Sequence, residues 1–371
     1  MKLLITGDLV VNQAYNVNRI SDEIRVLFKQ SDYSIVNLEA PVTHNSSKII
    51  KTGPHLKSNK KSTLDVLKYL NIDAVTLANN HILDYDEKGV IDTLTFCNEN
   101  KIQTVGAGKS IEEAAKTLFI STPKGKIAIV NFAENEWASA TNTTAGANPM
   151  NIIDNVTQIK EARKMADFVF LIIHGGHEYY NLPSPRMQKQ YRFYAEQGAD
   201  IVIGHHTHCI SGNEVYNGVP IYYSLGNFLF TSANSYEDWY LGFVLEIEIN
   251  NDQITTNLHP IKQQKQDFAL SLLNNDEKDS MLNRAIDYNK IIIDIEKLSA
   301  EWNKHIENKY DTYMNYWSPL SFIKNHFIRL IFNKLGMKAI NKSGIALKLN
   351  LMRCEAHSDI SKEVTQNYLN K

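Results

Sequence analysis

Short apolar segments alternate with amphipathic segments along the first two hundred residues of the chain. Apolar, β-branched runs are typical of buried strands, and apolar residues spaced three and four apart predict helices. The predicted strands are Lys2–Thr6, Tyr33–Leu38, Ala74–Ala78, Lys126–Phe132, Phe168–Ile173 and Ile201–Gly204. The predicted helices are Ile20–Gln30, Ser62–Leu70, Glu87–Asn98, Ile111–Lys116, Asp154–Ala166 and Pro185–Gln197. This alternation predicts β-α-β units and an α/β fold.

The pattern changes twice after Gly204. The next segments are strand-like and are separated by turn residues. They are Val219–Ser224, Tyr240–Ile249 and Gln253–Leu258. From Gln264 onward the pattern is helical and predicts no further strand. We therefore expect a boundary near Lys262, with a core domain over residues 1–262 and a helical extension over residues 263–371.

Polar residues cluster at five places where predicted strands end. The clusters are Asp8; Asn37-Leu38-Glu39; Asn79-Asn80-His81; His174-Gly175-Gly176-His177-Glu178; and Gly204-His205-His206-Thr207-His208. Because the carboxyl ends of parallel strands meet at one crevice, side chains far apart in sequence can share a site there. One such histidine alone is equally well explained as a capping or core residue, but five coinciding strand ends favour a single functional site. Carboxylates, imidazoles and an amide oxygen suit Mn²⁺, Zn²⁺ or Fe.

The histidines in these clusters differ in their expected roles. Alternate residues of an extended segment point the same way, so His206 and His208 are expected to chelate one site. His205 lies beside better-placed histidines, and we expect it to support the ligands or the structure. His177 fits a substrate contact and a surface position equally well.

Seven phrases of the sequence together carry a family resemblance. They are Gly7-Asp8, Asn37-Leu38-Glu39, Ala78-Asn79-Asn80-His81 with Asp84, Gly106-Ala107-Gly108, His174-Gly175-Gly176-His177-Glu178-Tyr179, Gly204-His205-His206-Thr207-His208 and Tyr223-Ser224-Leu225-Gly226-Asn227-Phe228. In this order and spacing, they resemble the bacterial capsule-synthesis (CapA, poly-γ-glutamate synthesis) family over Met1 to Leu258. The resemblance implies a divergent calcineurin-like metallophosphoesterase: a four-layer α-β-β-α sandwich with a metal site at the strand ends.

The resemblance also implies a ligand set for one or two divalent ions, Mn, Zn or Fe. The metal-ligand positions fall on Asp8, Glu39, Asn80, His174, His206 and His208. His81 falls on the position that assists the leaving group. The chain departs from the superfamily at two ligand positions. Val10 replaces the histidine of the usual Asp-x-His, and Glu39 replaces the bridging aspartate.

The activity implied by the resemblance is metal-dependent hydrolysis of the phosphoesterase type, in the biosynthesis of a capsule polysaccharide, poly-γ-glutamate or another surface polymer. Its expected catalytic residues are Asp8, Glu39 and His81, with His81 protonating the leaving group. The expected contacts to an anionic phosphoester or polymer are Arg186, Tyr179, His177 and Glu178. Arginine matches an oxyanion with several donors. A surface arginine and a tyrosine at the core edge explain Arg186 and Tyr179 equally well.

Two other functions fit the same residues. Without a metal, the carboxylates and imidazoles suit general acid–base chemistry on a peptide or amino-acid polymer. A third interpretation is a non-catalytic component of a polymer synthesis or export machinery. Synthesis of an amide needs an activating nucleotide, and the sequence has no Gly-x-x-x-x-Gly-Lys-Ser/Thr loop, so we do not expect a ligase.

Composition narrows the partners and the compartment. The net charge of −2 and a pI near 6.6 give no global basis for nucleic-acid binding. Three widely spaced cysteines, Cys97, Cys209 and Cys354, predict no disulfide framework and favour a reducing compartment. The apolar run before Asp8 is too short for a signal peptide, and no run reaches the ~20 apolar residues of a membrane span. We expect a cytoplasmic protein.

One segment near the C-terminus is basic and amphipathic. Thr312 to Cys354 contains no Asp or Glu. Its basic residues are Lys324, Arg329, Lys334, Lys338, Lys342, Lys348 and Arg353, and its apolar residues at helical spacing include Phe322, Ile323, Phe327, Leu330, Ile331 and Leu335. Packing against the core and binding to an anionic membrane or polymer explain this stripe equally well. The second interpretation places residues 320–353 at the inner face of the membrane.

Overall fold

The computed structural model divides the chain into two compact units, Met1–Leu298 and Ser299–Lys371. It describes residues 1–51, 53–250 and 253–316, and beyond these residues 323, 325–337, 340, 341, 344, 345, 348, 349, 352, 365 and 369.

The strands and helices alternate as the sequence pattern predicts for the first two hundred residues. The strands are β1 Lys2–Val10, β2 Tyr33–Leu38, β3 Ala74–Thr76, β4 Gln103–Val105, β5 Ala107–Gly108, β6 Leu118–Thr122, β7 Gly125–Ala133, β8 Gly146–Ala147, β9 Phe168–His174, β10 Ile201–His205, β11 Asn213–Tyr216, β12 Val219–Tyr222, β13 Asn227–Phe230, β14 Leu241–Asn250, β15 Gln253–Gln263 and β16 Leu270–Leu272. The helices are α1 Asp22–Lys29, α2 Lys60–Tyr69, α3 Asp86–Glu99, α4 Ile111–Ala114, α5 Ile152–Met165, α6 Pro185–Glu196, α7 Asn275–Ile292, α8 Ile295–Tyr316 and α9 His326–Lys334. Short 3₁₀ turns lie at Val17–Arg19 and Glu237–Tyr240.

Two large sheets form the first unit. The first has the order β16-β15-β14-β1-β2-β3-β4, and β13 pairs with the end of β1. Its strands β1 to β4 are parallel, whereas β14 to β16 are antiparallel. The second has the order β11-β12-β10-β9-β7-β6, with a parallel centre. Strands β5 and β8 form a small separate pair.

The two sheets pack face to face, and helices cover their outer faces. Leu3 and Ile5 of β1 point into the core between the sheets, where they join residues of β7, β9 and β10. Leu4, between them, points the other way into a core formed with α1, α2 and α3. Helices α5 and α6 cover the second sheet in the same manner. The predicted four-layer α-β-β-α sandwich is confirmed.

The end of β1 approaches the loop before β13 very closely. A Cβ atom at Gly7 would lie 1.8 Å from the backbone oxygen of Gly226, so only glycine fits there. The next amide, Asp8 N–H, donates to that same oxygen at 3.3 Å. Gly7 therefore allows the close approach to Gly226 that sets the position of Asp8.

The chain beyond residue 262 differs from the prediction. Strand β16 lies in the part where no strand was expected, and α7 packs into the core between the sheets through Met281 and Ala285. Residues 263–298, assigned to the extension from sequence, therefore lie within the first compact unit. A strand of three residues is too short to show a period in the sequence, which is why β16 was missed.

The second unit contains the rest of α8, together with α9. In α9 and just after it, Phe327, Ile331 and Leu335 are exposed, Phe327 to 75%. Several residues of the predicted basic segment lie outside the described residues; they are Phe322, Lys324, Lys338, Lys342 and Arg353. Among the described residues, no helix combines the length and the apolarity that crossing a membrane requires.

Candidate metal centre

The six predicted ligand residues come together at the carboxyl ends of the central strands, and all are buried. They are Asp8 at the end of β1, Glu39 after β2, Asn80 after β3, His174 at the end of β9, and His206 and His208 after β10. His174 Nε2 lies 3.1 Å from Asn80 Oδ1, 3.1 Å from His206 Nδ1 and 3.5 Å from Glu39 Oε1. Strand ends of both sheets therefore contribute to one cluster, as parallel topology requires.

The donor atoms form two overlapping groups of three. One is Glu39 with His174 and His206, and the other is Asp8 with Glu39 and His208. Within each group, the donor atoms lie within 4.8 Å of one another. We call these groups the His206 side and the His208 side. Glu39 belongs to both, so its carboxylate is the centre of the site.

Glu39 provides the test of whether these residues fit a metal. Both of its carboxylate oxygens are buried, and neither accepts a hydrogen bond from any residue in the described part of the chain. Burial raises the pKa of Glu39 well above its ordinary value, and the charge of Asp8 raises it further. A buried carboxylate without donors is costly unless a cation neutralises it. Carboxylate, amide and imidazole donors around it fit Mn²⁺, Zn²⁺ or Fe.

His206 and His208 converge through a turn and not through an extended segment. Their backbone φ angles are +92° and +55°, in the left-handed region that residues with a Cβ rarely adopt. Each such residue costs about 1–3 kcal/mol, and such strain is concentrated at functional sites. The amide of His206 donates to Asp8 Oδ2 at 3.3 Å. Both histidines lie at the same centre, but they belong to different ligand groups, and the predicted extended geometry is wrong.

Asn227 fixes the ring of His208. Its Nδ2 donates to the backbone oxygen of Trp239 at 3.0 Å, which turns its Oδ1 toward His208 Nδ1, also at 3.0 Å. His208 therefore donates through Nδ1–H, and its Nε2 faces Glu39 Oε1 at 3.7 Å. Asn227 stands in a sequence motif, yet no role was predicted for it.

Asn37 holds Asp8 in the same way. Its Nδ2 donates to Asp8 Oδ1 at 2.7 Å, and its Oδ1 accepts from Thr76 Oγ1 at 3.2 Å. Burial alone would raise the pKa of Asp8, but the hydrogen bond from His208 and the charges of nearby histidines lower it overall. Asp8 is therefore held as a carboxylate.

His81 lies beside the ligand cluster and is oriented by Asp84. His81 Nδ1 is 2.6 Å from Asp84 Oδ2, an oxygen that also accepts from the amide of Leu56 at 2.7 Å. The buried Lys51 side chain pairs with the other oxygen of Asp84. Burial lowers the pKa of His81, and the charge of Lys51 adds to this, although Asp84 opposes both. No pattern in the sequence indicated Lys51.

The predicted substrate contacts occupy different places. Tyr179 is 38% exposed and its ring lies 6.3 Å from that of His208, so it stands beside the centre. Glu178 is exposed, and its negative charge is one of the smaller causes that raise the pKa of Glu39. His177 is half-buried. Arg186 contacts no ligand residue; it pairs with Glu134 at 2.7 Å and its side chain is 60% exposed.

His205 is buried and belongs to neither ligand group. Neither ring nitrogen has a hydrogen-bond partner among the described residues. Burial lowers the pKa of His205, so its ring is held neutral. His205 is therefore not a candidate metal ligand, and no hydrogen bond connects it to one.

Two acidic residues of the site were missed from sequence. Glu136 Oε1 lies 3.7 Å from His206 Nε2, and its Oε2 accepts from Asn80 Nδ2 at 3.5 Å. Glu134 accepts from the amide of Gly176 at 3.0 Å. Both follow β7, which is parallel to β9 and ends beside it. Their position just after the predicted strand Lys126–Phe132 is the only signal for them in the sequence, and an acidic loop residue there is too ordinary to identify a site.

Comparisons with known proteins identify a family and relatives named for capsule biosynthesis. A sequence model described as "Bacterial capsule synthesis protein PGA_cap" matches residues 2–232. The chain is 37% identical over 224 residues to "PGA biosynthesis protein CapA" of Bacillus subtilis, covering 59% of each chain. It is 32% identical over 230 residues to "Capsule biosynthesis protein CapA" of Bacillus anthracis, covering 60% of this chain and 56% of that one. The matches thus span less than two thirds of either relative.

Among solved structures, one similar protein is described as a novel phosphatase from Mycoplasma pneumoniae. It shares 13% sequence identity and has a TM-score of 0.45. The match covers 72% of this chain and 95% of that one.

Proposed function

Since the chain belongs to the bacterial capsule synthesis protein (PGA_cap) family, we propose that it is a metal-dependent phosphoesterase in the biosynthesis of a bacterial surface polymer. The polymer is a capsule polysaccharide or poly-γ-glutamate, as the names of the relatives suggest. The observation that carries the proposal is the buried carboxylate of Glu39, which has no donor among the described residues and is shared by both ligand groups.

The proposed ligands divide between the two sides of the centre. Glu39, His174 and His206, with Asn80, would hold an ion on the His206 side. Asp8, Glu39 and His208 would hold one on the His208 side. A divalent ion supplies Lewis acidity toward the ester and lowers the pKa of water. Asn37 and Asn227 keep the Asp8 carboxylate and the His208 ring aimed at it.

His81 is the proposed proton donor to the leaving group. Asp84 accepts from Nδ1–H, so Nε2 is the nitrogen that exchanges a proton with the substrate. Donation requires the imidazolium form, which Asp84 stabilises through the same hydrogen bond. Lys51 limits this stabilisation by neutralising Asp84. Asp84 and Lys51 therefore keep the His81 ring in one orientation in both its protonated and its neutral form.

The proposal is tested by purifying the protein without chelator and supplying an activated phosphomonoester and an activated phosphodiester with Mn²⁺. We expect hydrolysis that disappears on chelation and returns with added metal. Lys160→Gln, on the exposed face of α5, is the matched control and should retain full activity. Hydrolysis that persists after chelation would contradict metal dependence.

One observation favours a second function, metal-independent acid–base chemistry on a peptide or amino-acid polymer. The pKa of Glu39 is raised while that of Asp8 is lowered, and a pair of carboxylates with separated pKa values can serve as acid and base. This function predicts amide cleavage that a chelator does not affect. Glu39→Gln would abolish that cleavage, because the amide cannot donate the proton.

We also propose that α9 contacts an anionic membrane surface. Phe327, Ile331 and Leu335 are exposed, and Arg329 and Lys334 are basic residues on the same helix. Each basic residue near an anionic leaflet contributes about 1 kcal/mol. We expect co-sedimentation with anionic vesicles at low salt, weakened in the double variant Arg329→Gln/Lys334→Gln. Equal binding to neutral vesicles would contradict the proposal.

A further inference from the structure

Helix α7 packs directly on the segment that runs from His208 into β11. A Cβ atom at Gly212 would lie 2.9 Å from the backbone nitrogen of Asn289 in α7, so a larger residue there would push the helix away. Asn289 Oδ1 accepts from the backbone amide of Asn213 at 2.6 Å, and its Nδ2 donates to Asn213 Oδ1 at 3.1 Å. The helix is therefore attached to the chain just after His208.

Arg284 attaches the same helix to a second segment beside His208. Its Nη1 donates to Asp238 Oδ1 at 2.9 Å, and Asp238 belongs to the 3₁₀ turn Glu237–Tyr240. The Nε and Nη2 atoms of Arg284 are shielded from solvent and have no hydrogen-bond partner in the described part of the chain. Asp238 is thus the acceptor that fixes the guanidinium, and the charge on both partners strengthens this hydrogen bond.

The turn that Arg284 holds makes two contacts with His208. Trp239, next to Asp238, accepts from Asn227 Nδ2 through its backbone oxygen, and Asn227 Oδ1 accepts from His208 Nδ1. The ring centroids of Trp239 and His208 are also 4.8 Å apart. A shift of the turn would therefore move both the hydrogen-bond acceptor and the aromatic neighbour of the His208 ring.

Asn181 joins these two attachments. Its Nδ2 donates to Asp238 Oδ2 at 2.8 Å and to the backbone oxygen of Ile210 at 2.8 Å. Ile210 lies between His208 and β11, so the turn and this segment are held to each other as well as to α7. Asp238 accepts from α7 with one carboxylate oxygen and from Asn181 with the other.

The backbone of His208 needs such support. Its φ of +55° lies in the left-handed region, and a residue with a Cβ stays there only where the surrounding structure over-determines its conformation. Helix α7 supplies contacts both to the segment that follows His208 and to the turn that faces its ring. Among the described residues, no hydrogen bond joins α7 to His174 or His206, so its support is specific to the His208 side.

We infer that α7 is a structural support of the His208 side and that Arg284 is a positioning residue for the His208 ring. The helix lies beyond residue 232, where the match to the family model ends, so the matched residues do not include this support. The inference rests on the proposed function, because the ion that His208 would hold is part of that proposal.

Calorimetric titration with Mn²⁺ tests this support. Arg284→Met removes the guanidinium but keeps an unbranched side chain, and Lys278→Met, on the exposed face of α7, is the matched control with the same change of charge. We expect Arg284→Met to weaken Mn²⁺ binding on the His208 side roughly three- to tenfold, less than the loss of a direct partner of a ligand. Arg284→Lys should restore most of the affinity, and Lys278→Met should match the wild type.

Two further variants identify the route through which Arg284 acts. In a His208→Ala background, Arg284→Met should cause no additional loss of Mn²⁺ affinity, because the ring that it positions is already absent. Asp238→Asn weakens the acceptor instead of removing the donor, and it should reproduce the effect of Arg284→Met in the otherwise wild-type chain.

Hydrogen exchange of the metal-free protein is the second measurement, because it needs no ion. The amides of residues 209–213 and 237–241 should exchange at least about threefold faster in Arg284→Met than in Lys278→Met, whereas those of β9 should not change.

The inference is overturned if Arg284→Met and Asp238→Asn bind Mn²⁺ as the wild type does, or if Lys278→Met loses as much affinity as Arg284→Met. An equal loss in the His208→Ala background, or faster exchange that extends to β9, would also overturn it, since Arg284 would then support the whole fold. Failure of the proposed function is recognised separately, by a wild type that binds no Mn²⁺ while Arg284→Met still speeds exchange in both segments.

Discussion

The two sides of the centre share Glu39 but have different surroundings. The His206 side has donors from Glu39, His174 and His206, with the amide of Asn80 and the carboxylate of Glu136 beside them. A groove lined by Glu136, Arg186 and Lys189 lies beside it.

The His208 side is bounded by an apolar and aromatic wall. Val10 packs in a buried cluster with Phe230 and Trp239, and the ring of Trp239 lies 4.8 Å from that of His208. Val10 stands where the resemblance seen in the sequence leads us to expect a histidine. Unequal donor sets predict unequal metal affinities, so one ion should bind more tightly, on the His206 side.

The largest expected effect is on activity when a ligand of either side is removed. His206→Ala and Asp8→Asn should each reduce hydrolysis of an activated phosphoester to background, because each removes a donor to the ion or ions that activate the ester. Initial rates with Mn²⁺ measure this, and thermal unfolding confirms that each variant is folded. Full activity in Asp8→Asn would show that hydrolysis does not need the His208 side, and would contradict the view that both sides contribute to activity.

A smaller effect is expected from the residues that orient the ligands. Asn227→Leu removes the acceptor for His208 Nδ1–H and should weaken metal binding on the His208 side roughly 10- to 100-fold. Glu136→Gln, on the His206 side, keeps the shape of the side chain and removes only its charge. It should therefore weaken metal binding less than Asn227→Leu does. Metal titration of both variants measures the difference. A larger loss in Glu136→Gln would reverse this ranking.

Acid should weaken metal uptake on both sides. Burial raises the pKa of Glu39, and the carboxylates of Glu39 and Asp8 raise that of His208 despite its burial. The Glu39 carboxyl and the His208 imidazolium each hold a proton that a cation must displace. At pH values below these pKa values, the metal affinity should therefore fall about tenfold per pH unit for each proton. Burial keeps the pKa of His174 low, so it contributes no proton. Metal titrations across neutral pH measure this, and a pH-independent affinity would contradict it.

The sequence predicted the location of the site better than its surroundings. The ends of β1, β2, β3, β9 and β10 were recognisable because an unusual polar residue stands at or near the end of each buried strand, such as Asp8 in β1 or His174 in β9. Glu136 was missed because an acidic residue in a loop is ordinary in any sequence. Only the pairing of β7 with β9 brings it to His206.

Contacts made by loops could not be predicted from the hydrophobic pattern of the sequence. Lys51 meets Asp84 because the segment between β2 and α2 folds back over His81, and neither periodicity nor a motif specifies that path. The positive φ angles of His206 and His208 could not be predicted either, since the spacing of the two residues in the sequence suggested an extended segment. Strain of this kind depends on the surrounding tertiary structure.

Calorimetric titration of chelator-stripped protein with Mn²⁺ tests the central claim most directly, with His206→Ala and His208→Ala alongside the wild type. We predict one tight equivalent per chain and a second that is at least about tenfold weaker. His206→Ala should lose the tight equivalent, whereas His208→Ala should keep it. No binding by the wild type, or a tight equivalent that survives His206→Ala and is lost in His208→Ala, would contradict the account.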